Sequence, residues 1–229
     1  MRTTPTLIAI AVTLAACSPK TKPAEAPKAA AAATAPAAPQ APADAPAGEY
    51  SMDLAHTSVN FRLTHIGLSH YTARFTKMDG KLAFDPANPA AQSVAATIDA
   101  GSLQTNYPDP AKLDFDSQIE KEFLEAAKFP QISFKSTKVE PTGPRTAKVT
   151  GDLTLHGVTK PVVLDATFNG GYPKNDMMGP ARIGFSAKGT FKRSDFGISY
   201  GVPAPGTTMG VGDEVEVTIE TEFSEKPPA

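Results

Sequence analysis

Alternation of apolar and polar residues with a period of two dominates the chain from Tyr50 onward, and it restricts that region to β-strands. In DEVEVTIETEF, Val215, Val217, Ile219 and Phe223 fall on one side, and Glu214, Glu216, Glu220 and Glu222 on the other. The same alternation sets Val59, Phe61 and Leu63 against Ser58, Asn60, Arg62 and Thr64. It recurs in DGKLAFDP, SVAATID, PQISFKS, VTGDLTLHG, PVVLDATFNGG and ARIGFSAKGTF. About eight or nine such runs, joined by short Gly-, Pro- and Asp-rich turns, leave no room for the helices of βαβ units, and one wet side per strand means antiparallel pairing. One helix is expected around residues 116–127, within DFDSQIEKEFLEAAKFP. Ser117 and Glu120 have capping-box spacing, Ile119, Phe123, Leu124 and Ala127 form its apolar stripe, and Pro130 stops it.

A sandwich and a barrel both accommodate this pattern. Long strands in up-and-down order favour a closed barrel, which removes edge strands. Eight strands enclose an interior wide enough to be filled by side chains or to hold one small ligand. The positions expected to face that interior include Val59, Phe61, Leu63, His65, Phe75, Ile98, Phe134, Leu153, Leu155, Phe168, Phe185, Phe191, Val217 and Ile219. Ala96, Ala166, Ala187, Gly151 and Gly189 are interleaved among them. Large beside small is compatible with a filled core or with an open lumen, and the pattern does not separate the two.

Reactive groups are sparse. His56 and His65 lie about 30 Å apart if their segment is one extended strand, with opposite parity, so they share no metal. His56 is then the start of the strand and His65 its end. His65 and His70 flank the turn at Gly67, and His156 sits in a hairpin turn. Two histidines without a third ligand make a poor zinc site, so no metal is expected. No Gly-x-Ser-x-Gly is present, and GVPAPGTTMGVG precedes a strand rather than a helix, which is the wrong order for a phosphate loop. Asp109, Asp114 and Asp116 read as solvated charges ahead of the helix. These absences point to a protein without catalysis and without a required cofactor. The formal net charge of −2 gives no basic surface for nucleic acid.

The first residues follow a different logic. MRTTPTLIAIAVTLAAC has a basic start and an apolar run too short to span a bilayer, the form of an export signal. Leu14-Ala15-Ala16-Cys17 resembles the lipobox of bacterial lipoproteins, which implies cleavage after residue 16 and acylation of Cys17, the only cysteine. Ser18 in place of Asp then implies an outer-membrane anchor facing the periplasm. Residues 17–48 are Ala/Pro-rich with few large apolar side chains, and read as a tether that reaches up to ~90 Å at about 3.1 Å per residue. The expected organisation is a signal over 1–16, the tether over 17–48, a domain over 49–225 and a tail over 226–229. Without Arg2, Lys20, Lys22, Lys28, Glu25 and Asp44, 18 basic and 22 acidic residues remain, so the domain is mildly acidic.

Several segments together resemble YceI-like domains: YSMDLAHTSVNFRLTHIGLSHYTARFTKMDGKLAFDP, FPQISFKSTKV, VTGDLTLHGVTKPVVLDATF, IGFSAKGTFKRSDFGI and VGDEVEVTIETEF, in that order. His56 and Ser58 match the family's opening His-Ser-x-Val. His65 and Gly67 match its His-x-Gly turn, and Arg193, Asp195 and Gly197 its Arg-Ser-x-Phe-Gly segment. The resemblance implies an all-β, lipocalin-like eight-stranded antiparallel barrel. It also implies residence in the bacterial envelope and a lumen that binds a polyprenyl or quinone-type lipid along the interior positions named above. His65, Arg74 and Arg193 are the candidates for headgroup contact. A filled barrel acting as a structural or stress-related envelope module is the alternative, and a homodimer is carried as a partner expectation beside the lipid and the membrane. The chain departs from the family in having Ala73 where Gly is common, and in a helix region without its usual Asp-x-His-Leu element.

Overall fold

The computed structural model describes residues 44–225; the expected signal, Cys17, most of the tether and the tail lie outside the described residues. The strands are β1 (Gly48–His65), β2 (Ser69–Phe75), β3 (Met78–Phe84), β4 (Ser93–Asp99), β5 (Leu103–Gln104), β6 (Gln131–Gly143), β7 (Thr146–Leu155), β8 (Val158–Tyr172), β9 (Arg182–Lys192) and β10 (Glu214–Glu225). The helix α1 spans Phe115–Glu122.

Eight of these strands close a barrel. The order runs β10-β9-β8-β7-β6-β4-β3-β1, and β1 pairs back onto β10. Every pairing is antiparallel. Ten strands form among the described residues, two more than the eight of the ring, because β1 divides its partners. Its first residues pair with β3, Gly48 opposite Phe84, whereas Val59 to His65 pair with β2. β2 in turn carries β5. The barrel wall therefore splays at one end, and α1 lies beside that opening.

Two hairpin turns follow from local chemistry. Ile66 and Gly67 both have positive φ, as do His156 and Gly157, the type I′ geometry that suits strand twist. Glycine in each second position accepts that geometry without strain.

Helix α1 is shorter than the 116–127 span expected. Its N-cap is Asp114, whose carboxylate accepts from Ser117 N–H at 3.1 Å, so Ser117 is not the cap. The helix stops at Glu122, and Glu125 takes φ +45°, a left-handed value that ends helical propagation. The turn shifts the register, so Ala126 rather than Ala127 joins Ile119, Phe123 and Leu124 against the core. Tertiary bonding also redirects the acids. Glu120 accepts from Leu103 N–H at 3.1 Å, and Asp116 accepts from Thr105 N–H at 2.8 Å. These two carboxylates satisfy the outward edge of β5, which has no further strand beside it; they are not merely solvated charges. Partial burial pushes the Glu120 carboxyl above its usual range, an effect the Leu103 amide opposes.

Inside the barrel, small residues make room for large ones. A Cβ on Gly151 would lie 2.3 Å from the Phe134 ring and 2.7 Å from Lys135 O. A Cβ on Gly189 would meet Leu164 at 2.6 Å. Gly151→Val is therefore expected to destabilise the protein by about 1–3 kcal/mol through overpacking against a backbone oxygen that cannot yield. Urea denaturation checks this; an unchanged midpoint would contradict the close approach.

Candidate functional site

The barrel encloses a cavity of about 900 Å³, near the upper end of the range for small-molecule sites. Its lining runs from Ile119 in α1 and Phe123 and Leu124 just after it to Pro86, Pro89 and Pro144 at the other end, so it extends along the barrel. The filled-core alternative does not fit this interior.

Cross-strand register explains why the lumen stays open. At one level Ile219 lies opposite Ala187, Ala187 opposite Ala166, and Ala166 opposite Ala147. Three alanines on adjacent strands leave the wall thin there. The neighbouring level alternates Phe61, Val217, Gly189, Leu164 and Val149 around the same wall. Aromatic rings add rigidity: Phe61 and Phe75 have centroids 5.6 Å apart, and Phe168 and Phe185 5.3 Å.

All the interior positions expected from sequence stand on this wall: Val59, Phe61, Leu63, His65, Phe75, Ile98, Phe134, Leu153, Leu155, Phe168, Phe185, Phe191, Val217 and Ile219. Alternation located them because strand parity alone decides inside from outside. Sequence reasoning missed Tyr71, Tyr107, Phe115 and Arg145, which also reach the lumen. Arg145 lies in the β6–β7 turn, donates to Asn169 O at 2.8 Å and stands over the Phe168 ring. Nothing periodic marks a turn residue that folds back over a barrel mouth.

The three headgroup candidates separate. His65 is exposed and borders the lumen at the α1 end. Arg74 points outward, where its guanidinium donates to Gln104 Oε1 at 2.7 Å from Nε, so it does not face the lumen. Arg193 is 5% exposed and donates to four backbone carbonyls: Gly212 at 3.0 Å, Ile198 at 3.0 Å, Tyr200 at 2.8 Å and Val211 at 2.8 Å. Four of its five N–H groups hold the loop between β9 and β10, and its side chain also borders the lumen. Burial lowers its affinity for the proton, and nearby Asp213 offsets part of that.

The other histidines are structural. His56 is not at the start of a strand; β1 begins at Gly48, and His56 lies in a bulge between Asp53 and Ser58. Its Nδ1 lies 3.0 Å from Asp53 Oδ2 and 4.0 Å from Glu222 Oε2, and the three ligand atoms fall within 4.8 Å of one another. Arg182 already bonds both carboxylates. The guanidinium is the cation of this cluster, which ties β9, β10 and β1 together outside the barrel. The hydrogen bond from His56, then Arg182, holds the Asp53 carboxyl below its usual range. His70 stands 3.8 Å from Glu216 on the outer wall, away from His65. His156 bonds Phe196 O at 3.1 Å and lies 3.3 Å from Glu125, pinning the turn after α1 to the β7–β8 hairpin.

A closed antiparallel barrel with an elongated apolar lumen and a short helix at one mouth defines a lipocalin-like protein. The sequence pattern of the YceI-like domain matches residues 50–223, and the chain belongs to the YceI-like family. A UPF0312 protein of Pseudomonas syringae pv. tomato is 40% identical over 178 residues, covering 77% of this chain and 87% of its own. Among solved structures, the Campylobacter jejuni YCEI protein is 31% identical with a TM-score of 0.61, covering 72% of this chain and 90% of its own. Burkholderia cenocepacia BcnA is 26% identical with a TM-score of 0.61, covering 75% and 98%. A polyisoprenoid binding domain from Saccharophagus degradans, implicated in plant cell wall breakdown, shares the fold at 15% identity and a TM-score of 0.57, covering 77% and 98%.

Arg193→Met is expected to cost about 3 kcal/mol in chemical denaturation, because four charge-assisted bonds, one buried and three partly buried, are lost together. Arg193→Lys should recover only part of it, since an ammonium lacks the fork that spans several acceptors. A loss below about 1 kcal/mol for the Met variant would contradict the anchoring role.

Proposed function

We propose that this barrel binds an isoprenoid or quinone-type amphiphile, with its chain along the lumen, and carries it without transforming it. The observation that carries the reading is the predominantly apolar lining of the 900 Å³ cavity. A flexible hydrocarbon chain needs no directed polar partner, only removal from water, at about 0.8 kcal/mol per CH₂. The shared fold of a polyisoprenoid binding domain supports the same choice. The headgroup rests at a mouth, beside His65 at the α1 end or beside Arg145 at the other. In this proposal the protein works in the bacterial envelope, held to the outer membrane through acylated Cys17.

Filling the alanine belt tests the lumen. Protein extracted from membranes in mild detergent is expected to show a lipid adduct by native mass spectrometry. Ala166→Phe and Ala187→Phe are each expected to lower its occupancy at least tenfold while circular dichroism stays that of a folded barrel. No adduct, and no uptake of a long-chain quinone or polyprenyl alcohol by the parent protein, would sink the proposal.

The anchor has its own test. Cells fed an alkyne fatty acid are expected to label the parent chain but not Cys17→Ser, and an unlabelled parent chain would overturn acylation.

A further inference from the structure

The turn between β1 and β2 and the loop between β9 and β10 form one structural unit at the α1 end. Ile66 N–H donates to Gly210 O at 2.8 Å, and Gly212 N–H to Thr64 O at 2.7 Å. Val211 N–H donates to Gly201 O at 2.8 Å, and His65 bridges to Val211. Arg193 fastens both limbs of the loop from beneath. This unit is free of charged side chains from residue 199 to 212 and from 66 to 69. Its tips are apolar and stand in water: Leu68 is 85% exposed, Tyr200 78% and Met209 75%.

Such a lip is costly to expose unless something covers it. Its position says what does. His65, Ile198 and Val211, at the root of the lip, also line the lumen, and Tyr200 touches Phe123, another lumen residue, at 5.4 Å between centroids. The lip therefore adjoins the cavity lining, with Tyr200 against Phe123 and with Ile198 and Val211 at its root. Both ends of the described barrel chain lie at the other mouth, where Tyr50 pairs with Glu225, so neither covers the lip. The exposed Met177 and Met178 at that mouth differ, since they lie between Lys174 and Arg182 beside Asp176 and do not reach the lumen.

We infer that this lip docks onto a phospholipid bilayer, with Leu68, Tyr200 and Met209 inserted among the acyl chains. The inference rests on the lumen reading above: a chain held in the bilayer then passes from one apolar medium to another without crossing water. The absence of charge on the lip means that docking depends on apolar insertion, and it should change little with anionic lipid content or with salt.

The test uses the chain from Ser18 onward, so that neither an acyl group nor the apolar run of residues 7–16 contributes. The chain has no Trp, so Tyr200→Trp introduces a single reporter. With phosphatidylcholine vesicles its emission is expected to shift to the blue and to be quenched by lipids brominated on their acyl chains. In flotation, Leu68→Ser with Met209→Ser should lower vesicle partitioning by roughly tenfold or more. Met177→Ser with Met178→Ser should leave it unchanged. An indole that keeps water-like emission, or lip variants that float like the parent, would overturn the inference. So would a dimer that the lip substitutions dissolve in a parent that ignores vesicles, because a second copy would then be the occupant. Uptake of a polyprenyl alcohol from detergent micelles separates the two claims. Lip variants should load normally there, and a parent that never loads would fail the lumen reading while the flotation result still reports on the lip.

Discussion

Pairing of β1 with β10 closes the sheet, and the lumen exists only because that seam holds. β1 meets β10 along two stretches, Tyr50 to Asp53 and Ser58 to Arg62, separated by the bulge that carries His56. Outside the seam, Arg182 of β9 bridges Asp53 of β1 and Glu222 of β10, and Arg62 bonds Glu216 at 2.6 Å. Inside it, Val59 and Phe61 lie opposite Ile219 and Val217. Arg62 and Glu216 are largely solvated and their pair adds little, whereas the partly buried Arg182–Asp53 pair is better shielded; the inner face and the backbone ladder supply the rest of the closure. Closure also leaves no open edge in the eight-stranded ring.

Given closure, the size of the residues at each level sets the shape of the lumen. Phe134 fills the space over Gly151, and Leu164 the space over Gly189, so the wall is dense at those levels. The Ala147, Ala166 and Ala187 belt thins it at the next. The interior is thus neither a filled core nor an empty pore. It is a channel with rigid aromatic walls, and a flexible apolar chain is the class of molecule that such a channel accommodates most readily.

Strand parity made much of this legible in the sequence. A period of two assigns each residue to one face, so the wall positions from Val59 to Ile219 could be placed without coordinates. Closure and volume were not legible, because alternation is the same for a filled barrel and an open one; the register that sets three alanines side by side is a property of the sheet. Helix α1 is also legible, but its end is not, for a related reason. Its last turn is broken at Glu125, which lies beside His156, and Asp116 and Glu120 bond the edge of β5 instead of serving the helix alone. Arg74 and Arg193 were grouped by charge, yet parity sends the first outward and burial commits the second to carbonyls. Arg145 escaped notice because turn residues obey no period.

The most direct test of the lumen as a lipid channel is a high-resolution structure of the protein taken from membranes without removal of lipid. The account predicts one elongated density that runs from the α1 mouth past Phe61, Phe134 and the alanine belt toward Arg145, with side chains placed as in the present structure. Ordered water along the same path, or aromatic rings collapsed into it, in protein also exposed to a long-chain quinone and a polyprenyl alcohol, would contradict it.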